Sequence, residues 1–259
     1  MCISFANPFG FRYNKTMEGH TGQTLGARLE AVLRMLPPCR EVADIGTDHG
    51  LLCAEALARG VAERAVACDV SAASLSKARA LIARRGLCER VRFAVADGFS
   101  GVELDGAPAC GTGEASGYCA VLAGIGGELI AQILQRGGET PRKALRLVMQ
   151  PMGGTAELRL WLHQNGYAVV DEAVARQGER YYQIIAARWD GAARGPAPCW
   201  EELAFGRIAY KKRERELPGL LEKTRRSRIR RLNQARRAGV SLPALEAELA
   251  AVERMIEQW

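Results

Sequence analysis

Hydrophobic and polar positions follow two alternating patterns over the first two-thirds of the chain. Short apolar runs bounded by Gly, Asp or Pro predict buried strands, whereas apolar residues three and four positions apart predict helices. The predicted strands are 41–45, 64–69, 91–95, 118–123 and 145–150. Helices are predicted between them, including one from Leu51 to Arg59 and one capped by Ser71. This alternation indicates a mostly parallel sheet covered by helices on both faces.

Two later apolar runs, 167–174 and 181–189, flank the turn sequence Gln177-Gly178-Glu179-Arg180. That arrangement predicts a β-hairpin, which adds one antiparallel strand to the sheet. The expected fold class is therefore α/β, with a Rossmann-like sheet. Ligands of such sheets lie beyond the carboxyl ends of the strands, near the point where strand order reverses.

The pattern changes after Pro196 and Pro198, which mark a linker, and is helical from Trp200 onward. A heptad-like seam runs through the last helix at Leu242, Leu245, Leu249, Val252 and Ile256, and a compatible apolar face precedes it at Leu217, Leu221 and Leu232. We expect residues 23–195 to form the sheet domain and 200–259 a helical coiled-coil hairpin. Residues 1–22 show no periodicity, so we expect a disordered leader or an extension upstream of a true start near Met17.

The charge of the chain is concentrated in this helical region. The 259 residues carry a net charge of +7, with 48% hydrophobic and 25% charged residues, proportions that exclude a disordered or collagen-like chain. Between Arg207 and Arg237, 13 basic residues face only three acidic ones. Such a segment indicates a polyanion partner, although a solvated basic helix face is the alternative. The expected contacts are Lys211, Lys212, Arg213, Arg225, Arg226, Arg228, Arg230 and Arg231.

The cysteines and histidines give no pattern of metal ligands. Eight Cys and three His occur without short ligand spacing, so no metal site is expected and the cysteines are interpreted as core residues of a protein in a reducing compartment. No apolar run approaches the length of a membrane helix, and the N-terminus lacks the apolar h-region of a signal peptide. We expect a cytoplasmic protein, a monomer, without a membrane partner.

Acidic residues follow three successive predicted strands. The first strand leads into Asp44-Ile-Gly46-Thr-Asp48-His49-Gly50, which differs from the G-x-G-x-x-G of dinucleotide sites. Carboxylates repel a pyrophosphate but suit the sulfonium and α-amino groups of S-adenosylmethionine. Asp69, after the second strand, is expected to bind the ribose of that cofactor. The alternative is that these acids only cap the strand ends.

Further residues are expected around the same cofactor. Asp97-Gly98 would lie at the adenine, and Ala123-Gly124 ends the fourth strand beside the methyl group. His49 would contact the methionine carboxylate or only form hydrogen bonds within its loop, and Asp48 would contact the cofactor or only cap the next helix.

The acceptor side of the predicted site is built from small residues. Gly126, Gly127 and Pro151 would leave room for a flat ring, with close packing of helix on sheet as the alternative. The Asn/Asp-Pro-Pro-Tyr of exocyclic-amine methylation and a Pro-Cys nucleophile for C5 methylation are both absent. A ring nitrogen is therefore the expected acceptor. Asp48, Gln150 and Tyr182 are the candidate catalytic residues.

Five segments together resemble one family, the bacterial tRNA (adenine(22)-N1)-methyltransferases. They are DIGTDHG (44–50), LAGIGGELI (122–130), LVMQPM (147–152), RLWLHQNGY (159–167) and GERYYQII (178–185). The resemblance runs from about Leu25 to Trp259 and implies a class I fold, S-adenosylmethionine as cofactor, and methylation of N1 of adenosine 22 in the tRNA D-arm. Ile125 replaces the family's usual Met, and the loop at 105–117 is longer.

Two other functions fit parts of the sequence. The chain could be a small-molecule methyltransferase, which the basic segment argues against. It could also be a non-catalytic RNA-binding protein with a vestigial cofactor pocket, which the intact acids and glycines argue against.

Overall fold

The computed structural model of the protein describes residues 25–104 and 117–259. The predicted leader 1–22 and nearly all of the Gly-rich loop 105–117 lie outside the described residues.

Seven strands form one sheet. They are β1 (Cys39–Ile45), β2 (Ala62–Asp69), β3 (Val91–Val95), β4 (Tyr118–Ile125), β5 (Arg146–Pro151), β6 (Tyr167–Gln177) and β7 (Arg180–Trp189). Their order is β3-β2-β1-β4-β5-β7-β6, and β7 runs antiparallel to both of its neighbours while the pairings from β3 to β5 are parallel. The prediction of a mostly parallel Rossmann-like sheet with one antiparallel strand is confirmed. Strand order reverses at β1, which lies between β2 and β4.

Helices cover both faces of the sheet. They are α1 (Ala27–Arg34), α2 (Leu51–Ala58), α3 (Ala72–Arg84), α4 (Gly127–Arg136), α5 (Glu139–Lys143) and α6 (Thr155–Gln164). Helices α1 to α3 pack on one face in a core that includes Val42 and Leu52, and α4 and α6 pack on the other in a core that includes Leu122 and Ile130. Ser71 accepts a hydrogen bond from the Ser74 backbone, which confirms it as the cap of α3.

The C-terminal region contains more helices than a hairpin alone. It consists of α7 (Trp200–Phe205), α8 (Arg207–Lys211), α9 (Leu217–Arg237) and α10 (Pro243–Glu257). The helical hairpin is confirmed for α9 and α10, in which Leu221, Leu245 and Val252 are buried. Residues 200–211 instead form two short helices, because Gly206 adopts a φ of +86° between them. The expected hairpin therefore occupies α9 and α10 and does not extend over the whole of 200–259.

The hairpin of α9 and α10, called here the arm, does not extend freely from the sheet domain. A third core joins Val174 of β6 to Phe205, Leu217, Leu221 and Val252 of the C-terminal helices. A buried ion pair stands beside this core, where Arg159 Nε lies 2.7 Å from Glu172 Oε1. Glu172 Oε2 also accepts a hydrogen bond of 2.8 Å from the Ile208 backbone, so the pair joins α6, β6 and α8.

Candidate functional site

The loop after β1 is held in one shape by backbone contacts. The backbone nitrogens of Gly46 and Thr47 donate to the Cys68 carbonyl at 2.8 and 2.9 Å, which fixes the loop against β2. The Thr47 hydroxyl accepts a hydrogen bond of 3.2 Å from the Gly50 nitrogen. A Cβ at Gly50 would lie 2.9 Å from the Ala78 Cβ, and the φ there is +70°, so this position requires glycine.

Asp44 ends β1 beneath this loop and is buried. Burial raises the pKa of its carboxyl group to about 6, and nearby Asp69 adds to the rise, whereas a hydrogen bond to Thr47 and the charge of Arg28 oppose it. The carboxylate is therefore mostly ionised at neutral pH. A buried negative charge at the switch point of the sheet favours a cationic ligand.

The acids after β2 and β3 have different surroundings. Asp69 Oδ1 accepts a hydrogen bond of 2.7 Å from the Ser71 nitrogen, which shapes the turn into α3. Asp97 is about half exposed and forms a two-point contact with Arg136 of α4, at 2.6 and 3.2 Å. Gly98 has a φ of +66°, and a Cβ there would lie 2.8 Å from Ile133, so it also has a packing role. The three acids lie at or just beyond the carboxyl ends of three neighbouring strands, as predicted.

A cavity of about 320 Å³ opens above the β1 loop. Its lining includes five of the predicted cofactor residues, namely Asp44, Gly46, Asp48, His49 and Ala123, together with Arg28 and Leu29 of α1. Asp69, Asp97, Gly98 and Gly124 are not in this lining. His49 Nε2 lies 3.0 Å from Asp48 Oδ2 at the exposed rim, so these two side chains contact each other.

A larger cavity, of about 400 Å³, lies far from this edge, between α6 and α7. Its charged groups already have partners: Arg159 pairs with Glu172, and Arg194 lies 2.6 Å from Asp190. We therefore assign it to the packing of the C-terminal helices and place the functional site at the smaller cavity.

The glycines after β4 form the opposite side of the site. Gly124 and Gly126 are exposed, whereas Gly127 is buried at the start of α4. The Gly127 nitrogen donates to the Gly153 carbonyl at 2.8 Å, and a Cβ at Gly127 would lie 2.2 Å from the Gly154 oxygen. Gly127 thus has the close-packing role that was the alternative to substrate contact. The expected contacts of Gly126, Gly127 and Pro151 with a base stay predictions.

Comparison with known proteins identifies the family to which this chain belongs. Residues 25–185 match the family described as "Methyltransferase domain". The chain belongs to this methyltransferase domain family. The match covers the whole sheet up to the middle of β7. It includes the cavity and the residues 124–127, called here the glycine segment.

Two curated relatives of this chain are a tRNA methyltransferase and a putative one. The tRNA (adenine(22)-N(1))-methyltransferase of Bacillus subtilis is 29% identical over 163 residues, 63% of this chain and 64% of the relative. A putative tRNA methyltransferase of Mycoplasma pneumoniae is 30% identical over 146 residues, 55% of this chain and 61% of the relative. The chain therefore matches somewhat less than two-thirds of each relative's length.

The fold is shared with solved structures. Streptococcus pneumoniae Sp1610, a putative tRNA (m1A22) methyltransferase, superposes with a TM-score of 0.76 at 23% identity, over 90% of this chain and all of that one. M. capricolum TrmK, solved with S-adenosyl-homocysteine, gives a TM-score of 0.71 at 19% identity, over 91% and 99% of the two chains. Because nine-tenths of the chain is covered, the shared part must extend into the helical region after Trp200.

The basic residues predicted to contact a polyanion differ in how free they are in this methyltransferase. Lys212 lies 2.8 Å from Asp171, and Arg213 donates to the Trp259 carbonyl, so both hold the C-terminal helices in place. Arg225 and Arg226 both lie near Glu222, and Arg228 lies 2.7 Å from Glu248 of α10. Within residues 25–104 and 117–259, Lys211, Arg230 and Arg231 are exposed and form no ion pair.

Two of the candidate catalytic residues of the methyltransferase are held by an arginine that sequence analysis missed. Gln150 is buried, and its Oε1 accepts a hydrogen bond of 2.6 Å from Arg28 Nη1. Tyr182 lies beneath the same guanidinium, whose carbon is 5.8 Å from the ring centroid. The third candidate, Asp48, lies at the exposed rim of the cavity. Arg28 stands in the first helix, where no motif or acidic neighbour marks it in the sequence.

No helix in the described part of this methyltransferase is long and apolar enough to cross a membrane. Among the same residues, no group of three or more His, Cys, Asp and Glu side chains is arranged to hold a metal ion.

Proposed function

We propose that this chain transfers the methyl group of S-adenosylmethionine to N1 of adenosine 22 in the D-arm of tRNA. The observation that carries the proposal is the buried carboxyl group of Asp44 at the strand switch point, in a cavity that the loop after β1 and Ala123 of β4 also line. The names of the B. subtilis and S. pneumoniae proteins support the tRNA substrate.

The residues at the edge fit this cofactor. Its α-amino and sulfonium groups are cationic, and Asp44 supplies a buried carboxylate for them. Gly46 has a φ of +85° with open space where a side chain would begin, so the cofactor can approach the backbone. Asp69 stands after β2, where an acid accepts hydrogen bonds from ribose hydroxyls. Asp97 and Gly98 would lie near the adenine.

The reaction requires alignment more than acid–base chemistry. When bound, S-adenosylmethionine supplies an activated methyl group on a positively charged sulfur. Neutral adenine N1 already has a free lone pair, so the protein need not remove a proton from it. The glycine segment and Pro151 would hold the ring in line with the methyl carbon and sulfur. Asp48, Gln150 and Tyr182 stay candidate residues, and the contacts of Gln150 and Tyr182 with Arg28 favour a positioning role.

The arm would supply the affinity for tRNA. Lysines and arginines that neutralise phosphates release counterions, which makes binding strong and salt-dependent. Because N1 is often hidden by base pairing, adenosine 22 must be exposed or flipped into the site. The domain boundaries 23–195 and 200–259 are part of this proposal. A tRNA substrate would place the enzyme in the cytoplasm, and the monomeric state stays a prediction.

The test is methylation of unmodified tRNA by the purified protein. Mass spectrometry of digested nucleosides should show N1-methyladenosine, and a transcript with adenosine 22 replaced should not be methylated. The Asp44→Asn protein is the control for dependence on the proposed cofactor site. N6-methyladenosine or methylguanosine as product would refute the acceptor atom. Methylation of a metabolite but not of tRNA would favour a small-molecule methyltransferase.

A further inference from the structure

Arg28 connects the two sides of the site. Its side chain lines the cavity that contains Asp44, and its Nη1 donates to Gln150 Oε1 at 2.6 Å. The guanidinium also lies over the Tyr182 ring, at 5.8 Å from the centroid. A Cβ at Gly124 would lie 3.5 Å from Arg28 Nη1, so the guanidinium also stands beside the glycine segment. One side chain of α1 therefore lies beside residues of β4, β5 and β7.

The contact with Gln150 continues into the acceptor side. Gln150 Nε2 donates to the Pro151 carbonyl at 2.9 Å, so both ends of this buried amide are engaged. The next residue, Met152, donates from its backbone to the Ile125 carbonyl at 2.9 Å. Ile125 directly precedes Gly126. A continuous path of hydrogen bonds and peptide bonds thus runs from Arg28 to the segment on which the base would lie.

The helix that carries Arg28 is itself held at this edge. The Arg28 backbone nitrogen donates to Gln177 Oε1 at 3.4 Å, at the end of β6. The side chain is partly buried. A guanidinium has five hydrogen-bond donors and no acceptor, so it suits holding other groups in place.

We propose that Arg28 is a positioning residue for methyl transfer, which fixes the acceptor side, through Gln150 and Tyr182, relative to the cofactor cavity. This role rests on the proposed function. A guanidinium suits it because its planar set of donors can hold an amide oxygen while its face lies on an aromatic ring. A lysine would keep the charge but lose this geometry.

The charge of Arg28 has a separate effect on Asp44. The groups that act on the Asp44 carboxyl are Thr47 in its loop, Asp69 after β2, and Arg28 on α1, and the thiols of Cys53 and Cys68 are also near. Arg28 lowers the pKa of Asp44, so its removal raises that pKa above about 6. Binding of a cationic cofactor requires the ionised form and weakens as pH falls through this pKa. The midpoint of that loss should therefore move to higher pH in Arg28→Met.

The experiment compares Arg28→Met and Arg28→Lys with Arg34→Met, an exposed position on the same helix. Cofactor Kd is measured by calorimetry from pH 5.5 to 8, and kcat and the KM for tRNA are measured separately. In Arg28→Met, kcat should fall about 10- to 100-fold because the acceptor is misplaced, with little change in the KM for tRNA. Arg28→Lys should keep the wild-type pH midpoint but not the wild-type kcat. Arg34→Met should match the wild type.

A double variant distinguishes positioning from general damage. If Arg28 acts through Tyr182, then Arg28→Met with Tyr182→Leu should lose no more kcat than the more damaging single variant. Multiplicative losses, or a kcat in Arg28→Met equal to that of Arg34→Met, would overturn the role. Full recovery of kcat by Arg28→Lys would overturn it too, since charge alone would then suffice. A wild-type protein that binds cofactor but methylates no tRNA would instead overturn the proposed function.

Discussion

The cofactor edge of the sheet and the arm are built in opposite ways. At the edge, glycines with positive φ, including Gly46, Gly50 and Gly124, shape the backbone around a few buried or half-buried carboxylates. On the arm, a regular helix carries many exposed cations, several of them in ion pairs with Glu222 or Glu248. A small ligand of fixed shape needs a fixed backbone, whereas a polyanion needs a high density of charge.

The two regions meet at the hairpin of β6 and β7. Successive side chains of a strand point to opposite faces of the sheet, so the neighbouring residues Tyr181 and Tyr182 of β7 face in opposite directions. Tyr182 lies beneath Arg28 at the cofactor edge. Tyr181 faces the arm, where a Cβ at Gly219 would lie 2.2 Å from its hydroxyl, and Lys223 Nζ donates to the Glu179 carbonyl at 2.7 Å. The hairpin thus places the beginning of α9 beside the cofactor edge.

The largest expected effect comes from removing basic residues of the arm. It tests whether tRNA binding depends on the position of these charges or only on the net charge of the protein. Changing Arg230, Arg231 and Arg237 to Gln should weaken tRNA binding by about 100-fold or more at low salt, because three phosphate contacts are lost. The slope of log affinity against log salt should become shallower by about 2 to 3. Cofactor Kd should not change. Filter binding over a salt series and calorimetry give these values.

The matched control removes three exposed cations from the other end of the sheet domain. Arg34, Arg64 and Arg84 lie towards the amino ends of the strands, and their change to Gln alters net charge equally. This variant should bind tRNA nearly as the wild type does. Equal losses in both triple variants would show that the arm has no special role.

A smaller effect is expected for a substitution at the cofactor edge. Asp69→Ala removes a charged acceptor for ribose hydroxyls, at a cost of roughly 1.5–3 kcal/mol, so cofactor Kd should rise about 10- to 150-fold. The affinity for tRNA should be unchanged, since no arm residue is altered. Glu63→Ala, at the exposed beginning of the same strand, should leave both constants unchanged. An unchanged cofactor Kd in Asp69→Ala would remove Asp69 from the site.

Sequence analysis predicted the sheet because its signals are local. Apolar runs that end in Asp44, Asp69 and Asp97 mark each strand and its exit, and the parallel arrangement then gathers these exits at one edge. Arg28 could not be found in this way, since its partner Gln150 is 122 residues away and the contact depends on how α1 packs on the sheet. The break at Gly206 was missed for a similar reason: a Cβ there would meet the carboxylate of Glu172 on a distant strand.

The number of basic residues in the sequence does not show which of them are free to bind a polyanion. The basic segment was predicted from thirteen cations, but Lys212 and Arg213 hold the C-terminal helices in place rather than facing outward freely. Which cations are paired depends on residues of other elements, such as Asp171 and the last residue, Trp259. The free ones could be identified only after α9 was seen to leave Arg230 and Arg231 exposed.

The smallest expected effects come from replacing one glycine in each of the two regions. A Cβ at Gly127 would lie 2.2 Å from the Gly154 oxygen, so Gly127→Ala should push the loop after β5 away from α4. Gly239, in the turn between α9 and α10, has a φ of +69° with open space where a Cβ would lie, so Gly239→Ala adds only backbone strain. Overpacking at Gly127 should lower the free energy of unfolding by roughly 1–3 kcal/mol, and strain at Gly239 by about 1 kcal/mol.

Stability alone cannot separate these two variants, but activity can. The loop displaced by Gly127→Ala contains Met152, which is bonded to Ile125 beside the acceptor segment, so kcat should fall even in the fully folded protein. Gly239→Ala changes a distant turn and should keep the wild-type kcat at saturating tRNA. Thermal unfolding and kcat are therefore measured on the same preparations. Equal kcat losses per folded molecule would mean that the backbone of the cofactor edge needs no more precision than the arm.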